Sequence, residues 1–390
     1  MIGEEMRKIA LIAILAITLT SIGCYKNVQG PSFTPTLEGQ GWDYGSRMGM
    51  NSRFQSSLVK ISDSLFLTSL DGKIYRFNAE KGKLFDSKSW NYYLPQGIRS
   101  TPAVFNDVLY FGGFDQKLHA LDPASGQDIF QFQTKGYISS SPLIVGNVIY
   151  FGCYDGSFRA IDLNTRKLLW EYDSKSAIRS GAASTGRGLV FGNEKGIVTN
   201  LDITNGSVFW TFETRGEVYG APAVTSNLVI FGSRDGKVRA VNESDGSLYW
   251  EYDPPDNKHP NKEEFWSTPA VDETGAYIGS TWGKFYALKI HPSGTSAEML
   301  WEPYITKNKI GLSDYIYSDA IINGNSIMFG CNNGRLYCLD RNKGTELWSY
   351  ETYSEIRSKP FIDGDKVIFP SDDHYLYALT ISDGLPVRGK

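Results

Sequence analysis

The chain has 390 residues, a net charge of −4 and a pI near 5.7, with charged residues making up 21%. That balance offers no basic field to hold a phosphate backbone, so nucleic acid is excluded as a partner. Aromatic residues reach 14%, and their even spacing assigns most of them to a repeated core rather than to one site.

Residues 1–23 read as an export signal. Arg7 and Lys8 give a positive start, residues 9–20 an apolar run too short to span a bilayer comfortably, and Ser21, Ile22, Gly23 and Cys24 a small-residue end. Met6, directly before Arg7, is a second candidate start. Residues 24–40 carry Gly30, Pro31, Pro35 and Gly39 and are expected to be a tether. The start resembles a bacterial lipoprotein signal with its lipobox, with Ser21 where leucine is usual. That resemblance implies cleavage before Cys24 and lipidation of its thiol. An ordinary secretory signal with an incidental cysteine is the alternative.

From Trp42 onward the chain repeats itself eight times. Trp42, Trp90, Trp170, Trp210, Trp250, Trp301 and Trp348 occupy one position of the unit, and Phe130 fills it in the remaining copy. The residue matching Ala120 recurs at Arg76, Ala120, Ala160, Asn200, Ala240, Ala287, Cys338 and Ala378, in steps of 44, 40, 40, 40, 47, 51 and 40. Such a period, with several short strands per copy, predicts an all-β, eight-bladed propeller of four-stranded antiparallel blades over residues 41–390. In the clearest copy, residues 178–180 open a first strand and 189–192 form a second. A turn at Lys195 and Gly196 leads to a third over 197–202, and Phe209 and Trp210 lie in a fourth beyond Gly206. The pairs Asp71-Gly72, Asp155-Gly156 and Asp235-Gly236 suit tight hairpins, where glycine takes a positive φ without steric cost. No alternating Asp-x-Asp-x-Asp loop marks them as calcium ligands. The last copy stops after Gly384 without its aromatic strand, while Trp42, Asp43 and Tyr44 match Trp170, Glu171 and Tyr172. Residues 41–45 are therefore expected to supply the outer strand of blade eight and close the ring.

A second signature ends each unit. Ala120, Leu121, Asp122, Pro123, Ala124, Ser125 and Gly126 precede Phe130; Ala160, Asp162 and Thr165 precede Trp170; Asp202 and Gly206 precede Trp210; Asp340 and Gly344 precede Trp348. This resembles the tryptophan-docking motif of the quinoprotein, or PQQ-like repeat, propellers, over roughly residues 42–384. The resemblance implies that each indole packs between neighbouring blades and is structural. Arg166 stands at a glycine position of the motif, which predicts a strained or altered turn. Cys153, Cys331 and Cys338 are odd in number and lack zinc spacing, and His119, His259, His291 and His374 are scattered. The thiols are expected to be small buried apolar groups, and no metal site is expected.

Departures from the unit mark places free for function. Four extra residues lie between Gly82 and Trp90, seven between Trp250 and Pro269, four before Trp301 and seven after it. The links 254–265 and 303–315 are expected side by side on one face, either as a binding edge or as tolerant, solvated loop. Three residues before the repeat proline position stand Gln55, Arg99, Ser139, Arg179, Tyr219, Trp266, Tyr317 and Arg357. They are expected to begin the innermost strands and to ring the channel mouth on that same face. Arg99, Arg179, Tyr219, Trp266, Tyr317 and Arg357 are anchor-rich and read either as a partner-binding set or as a plug.

Three function classes follow. The quinoprotein resemblance implies a quinone-binding dehydrogenase, but the adjacent cysteines of those enzymes are missing and the ring offers no carboxylate for calcium or for a base, so no cofactor is expected. A closer resemblance is to the propeller lipoproteins of outer-membrane assembly, which share the lipoprotein start, short tether, eight docking-motif blades and similar length. It implies a non-catalytic scaffold, lipid-anchored in the outer membrane and facing the periplasm, whose envelope partner is a β-barrel insertase. A surface lipoprotein that binds an extracellular ligand is the third reading.

Overall fold

The computed structural model describes residues 46–47, 53–84, 91–225, 227–255, 262–292, 296–307 and 314–387. They form eight four-stranded antiparallel sheets, the eight blades of a propeller. Blade 4 runs Ala183–Ser184, Gly188–Gly192, Ile197–Asp202 and Val208–Glu213 from the axis outward. Its first strand begins later than the expected 178–180. The Ser180 hydroxyl instead ties that stretch to the blade, donating to the Gly192 carbonyl at 2.9 Å and accepting the Gly192 N–H at 2.9 Å.

Second strands are buried on both faces, as in Ser64–Thr68, Gly188–Gly192 and Leu228–Gly232, because each blade is covered by two neighbours. This is why they read as continuous apolar runs rather than alternating ones. Outer strands differ: in Lys167–Asp173 the first three residues are exposed, and beyond the register shift buried Trp170 and half-buried Tyr172 alternate with exposed Glu171 and Asp173. Among the described residues the apolar core divides into eight clusters, each drawn from two adjacent blades, including one that joins Phe54, Tyr75 and Phe77 of blade 1 to Ile368, Leu376 and Ala378 of blade 8.

Ring closure uses both chain ends. Ser46–Arg47 pairs antiparallel with Tyr375–Thr380 as the outer strand of blade 8, and on the same edge Pro386 bridges Leu379 while the Val387 N–H donates to the Ala378 carbonyl at 3.0 Å. The register differs from the expected one: Ser46, four residues beyond Trp42, faces Leu376, where Tyr172, two beyond Trp170, faces Phe158. Residues 41–45, with Trp42, lie outside the described residues, as does Trp90.

The docking geometry is uniform. The indole N–H of Trp170, Trp210, Trp250, Trp301 and Trp348 donates to a carbonyl of the next blade, at Ile203, Glu243, Ile290, Arg341 and Ile381, over 2.8–3.3 Å. The motif glycine makes room for it: Gly206 and Gly246 adopt φ of 72° and 73°, and a Cβ there would lie 2.6 and 2.7 Å from the rings of Trp170 and Trp210. Arg166 keeps the same left-handed backbone at φ 59°. It is tolerated because Phe130, not tryptophan, docks there, and its guanidinium lies over the Phe130 ring at 5.6 Å. A cavity of about 70 Å³ lined by Tyr110, Ala120, Phe130, Leu163 and Arg166 remains.

Turn aspartates are structural. Asp71, Asp155 and Asp235 accept backbone N–H groups two residues on, at 3.0–3.2 Å, while Gly72, Gly156 and Gly236 take φ of 84–90°. Each also binds the residue four positions later, Tyr75, Arg159 or Arg239. Blade 6 has Trp282 at that aspartate position, and the partner of Tyr286 comes from the enlarged link instead. Fully buried Glu263 accepts from Tyr286 Oη at 2.9 and 3.0 Å and from Ser280 Oγ, with Lys284 Nζ at 3.6 Å.

Candidate functional site

Ahead of each first strand the chain bends at the residue that follows the ring position, Ser100 in blade 2. Arg99 and Thr101 line the axial cavity, while Ser100 between them turns into the blade and donates to the Gly112 carbonyl at 2.9 Å. Repeated around the ring, this brings all eight sequence-predicted ring residues, Gln55, Arg99, Ser139, Arg179, Tyr219, Trp266, Tyr317 and Arg357, onto one cavity of about 280 Å³. A second tier lies two residues further on: Ser57, Thr101, Ser141, Gly181, Ala221, Thr268, Asp319 and Lys359. It stitches blades together, since Ser57 N–H donates to Thr101 Oγ1 at 2.8 Å, Thr101 N–H to Ser141 Oγ at 3.0 Å, Ala221 N–H to Thr268 Oγ1 at 3.1 Å and Thr268 N–H to Asp319 Oδ1 at 2.6 Å.

One sector is aromatic. Tyr219 meets Trp266 edge-on at 5.2 Å, Trp266 meets Tyr317 at 4.9 Å, and exposed Tyr315 adds a fourth ring at 5.5 Å. Arg234 completes it, lying over Tyr219 at 5.6 Å and Trp266 at 5.2 Å and bridging Glu217 at 2.9 Å and Glu264 at 3.0 Å. Glu264 also accepts the Trp266 indole N–H at 2.6 Å. Glu264 and Tyr315 are the ends of the two enlarged links, whose middles, 256–261 and 308–313, lie outside the described residues.

The opposite sector is cationic. Arg179 lies over Tyr219 at 4.2 Å with Glu194 at 3.8 Å, and Arg357 meets Glu355 and, at 4.0 Å, Asp372. Arg99 makes no ion pair or hydrogen bond among the described residues. Burial, with the charges of Arg179 and Arg357 added, pulls its pKa down to about 10. Burial also pushes Asp372 up to about 6, against the Phe54 N–H at 2.9 Å and the charge of Arg357.

Sequence reasoning missed Arg234, Glu194 and Asp372. Each stands fifteen residues after a ring residue, Tyr219, Arg179 and Arg357 respectively, and contacts that same residue, so reading this second repeat position would have found them. It also missed Asp319, which places one carboxylate in the cavity a tier away from a ring that has none.

A family model described as outer membrane protein assembly factor BamB matches residues 70–210 and 155–389. The chain belongs to the BamB family. Among solved structures it is similar to the computationally designed Ika8 protein, with a TM-score of 0.72 and 16% identity over 88% of this chain and 100% of that one. BamB from Moraxella catarrhalis gives a TM-score of 0.66 and 17% identity, covering 85% of this chain and 96% of that one. The quinohemoprotein alcohol dehydrogenase ADHIIG from Pseudomonas putida HK5 gives 0.63 and 13%, covering 85% and 72%. At such identities these likenesses show the fold alone. No curated protein sequence matches the chain significantly.

The cavity does not fit a calcium-bound quinone of the dehydrogenase type. Its lining offers the single carboxylate Asp319, already accepting from Thr268, and no group of three or more His, Cys, Asp or Glu could hold a metal ion among the described residues. Cys153, Cys331 and Cys338 are free and fully buried, in blades 3 and 7, and burial pushes the thiols of Cys331 and Cys338 up to about 12, so they are inert packing groups. Cys24 lies outside the described residues.

Proposed function

We propose that this BamB-family chain is a non-catalytic scaffold of the cell envelope that docks a protein partner of outer-membrane β-barrel assembly. Residues 1–23 are its export signal, Cys24 its lipidated anchor and 24–40 its tether, and the propeller faces the periplasm. The observation that carries the reading is the convergence of Arg99, Arg179, Tyr219, Trp266, Tyr317 and Arg357 on one cavity mouth, bordered by the ends of both enlarged links. Large aromatics and arginines clustered at the centre of a face are the composition of interface hot spots, where truncation of one anchor costs about 2 kcal/mol or more.

The test is a combined Arg179→Ala and Trp266→Ala variant, isolated from detergent-solubilised membranes with its partners identified by mass spectrometry. It should fold yet lose most of the insertase subunits that the parent chain recovers. Equal recovery places the interface elsewhere, and quinone-dependent dye reduction by the purified protein replaces the scaffold reading with the dehydrogenase one. For the anchor, fatty-acid analogue labelling should vanish in Cys24→Ala and the protein should leave the membrane fraction; persistent label refutes lipidation at Cys24.

A further inference from the structure

Blades 2, 3 and 4 present more donor capacity to the axial cavity than the protein itself uses. Ser139 lies between Arg99 and Arg179 in the ring, is only 7% exposed, and its Oγ has no hydrogen-bond partner. Arg179 Nε is also buried without a partner, and the nearest carboxylate to that guanidinium, Glu194, stands 3.8 Å from Nη1, beyond hydrogen-bond reach. Arg99 has no counter-ion among the described residues, and Arg357, on the other side of Gln55 in the ring, has an unpartnered Nε of its own. The other acidic groups around the mouth are engaged: Glu355 by Arg357, Asp372 by the Phe54 N–H, Asp319 by the Thr268 N–H, and Glu264 and Glu217 by Arg234. Buried donors left without acceptors are costly, and neighbouring guanidinium groups repel across a shared cavity. One negatively charged acceptor between them satisfies all three groups at once, through charge-assisted hydrogen bonds.

We infer that the Arg99, Ser139 and Arg179 sector of the axial cavity is an oxyanion site, taking one carboxylate or phosphate-type group. The cavity, at about 280 Å³, has room for such a group and several waters, each about 30 Å³. Ser139 supplies a neutral donor from the blade between those of two cations, which favours a multi-oxygen acceptor over a spherical halide. The group arrives either as a free anion or as an acidic side chain of a docked protein. The site requires no partner, so it stands or falls apart from the scaffold reading.

The test is calorimetric titration of the purified chain with inorganic phosphate, at constant ionic strength set by chloride. Saturable binding at one site is expected, weakened about tenfold to a hundredfold in Arg99→Gln and in Ser139→Ala, the loss of one charge-assisted hydrogen bond. Arg99→Gln removes an uncompensated cation, so its denaturation midpoint should match or exceed the parent's, which separates lost binding from lost folding. Heats no different from chloride, or binding unchanged in both variants, overturn the site. Partner capture with and without saturating phosphate then assigns the source: competition points to an acidic side chain, and independent capture to a free anion. Unchanged partner recovery in the Arg179→Ala, Trp266→Ala variant would place the partner interface elsewhere while leaving phosphate binding to the parent chain intact.

Discussion

The contact between blades 2 and 3 carries a paired exception whose energetics can be worked out. Phe130 leaves about 70 Å³ unfilled where tryptophans dock elsewhere. The space opens past exposed Ile129, so the closed-cavity value of about 24 cal/mol per Å³ sets an upper bound of about 1.7 kcal/mol on the gain from filling it. Phe130→Trp alone cannot realise this gain, because Arg166 holds a Cβ where the indole must lie: a Cβ at Gly206, the same place in the next blade, would stand 2.6 Å from Trp170. Overpacking of that kind costs about 1–3 kcal/mol. Arg166→Gly alone relieves a left-handed residue at φ 59°, worth about 1–2 kcal/mol, and forfeits a cation–π contact worth about 0.5–1 kcal/mol, so it should be close to neutral. The double variant should therefore be more stable than the parent by up to about 1.7 kcal/mol, and the two changes should couple by at least the overpacking cost. Guanidinium denaturation of the four proteins measures this directly. Additive effects, or a Phe130→Trp variant as stable as the double, would refute the steric argument.

Glu263→Ala should cost about 3–5 kcal/mol, because it strips buried Tyr286, Ser280 and Lys284 of a shared acceptor; denaturation midpoints check this, with Glu263→Gln expected to lose less. His119 is buried between Asp115 at 3.1 Å and Asp128 at 3.2 Å. Burial lowers its pKa, but the two carboxylates outweigh it and the net shift is upward. A raised pKa adds stability that is fully present below about pH 6.5 and is lost as pH rises through the folded value, so His119→Gln should flatten the pH dependence of stability above about pH 6.5. A chain beginning at Arg53 lacks Ser46–Arg47 and opens the edge of blade 8, which should lower the denaturation midpoint and speed proteolysis near Leu376; an unchanged midpoint would show that Pro386 and Val387 alone protect that edge.

The blades were legible in the sequence because the repeats share local physics: a tight turn, Asp-Gly in three of them, an apolar run buried on both faces, and a left-handed glycine under an indole at Gly206, Gly246, Gly344 and Gly384. The axial ring was legible for a related reason, since one repeat position maps to one radius of a propeller. What stayed hidden depends on contacts between repeats. Arg234 looks like a surface turn residue until Glu264 of the next blade's link and Trp266 close over it. Glu263 sits in what reads as a tolerant insertion, yet it replaces a turn aspartate that blade 6 lacks. The terminal register escaped as well: Ser46 pairs with Leu376, two residues beyond the partner that the match of Trp42 to Trp170 predicts.

Internal comparison of the eight repeats separates structural from available positions without any homologue. The residue after each ring position is serine in seven repeats, Ser56, Ser100, Ser140, Ser180, Ser267, Ser318 and Ser358, and in five of them its hydroxyl donates to the carbonyl ending its own blade's second strand, at Thr68, Gly112, Gly152, Gly192 and Gly279. The exception, Gly220, lies against the Ser267 backbone with no space for a Cβ. Directly beside this uniform position the ring reads Gln, Arg, Ser, Arg, Tyr, Trp, Tyr, Arg. A position held to one small polar residue by a buried bond is under structural demand, whereas its neighbour, pointing into the axial cavity, is released from it. Chemical diversity has accumulated at the released position, and it is patterned: the aromatics sit together in blades 5, 6 and 7, and the arginines lie on the rest of the ring with the unpartnered Ser139 between two of them. A plug needs only volume, and eight apolar side chains would supply it at lower cost than three arginines, one of them without a counter-ion. The composition of the mouth is therefore better explained by something it binds than by the need to fill it.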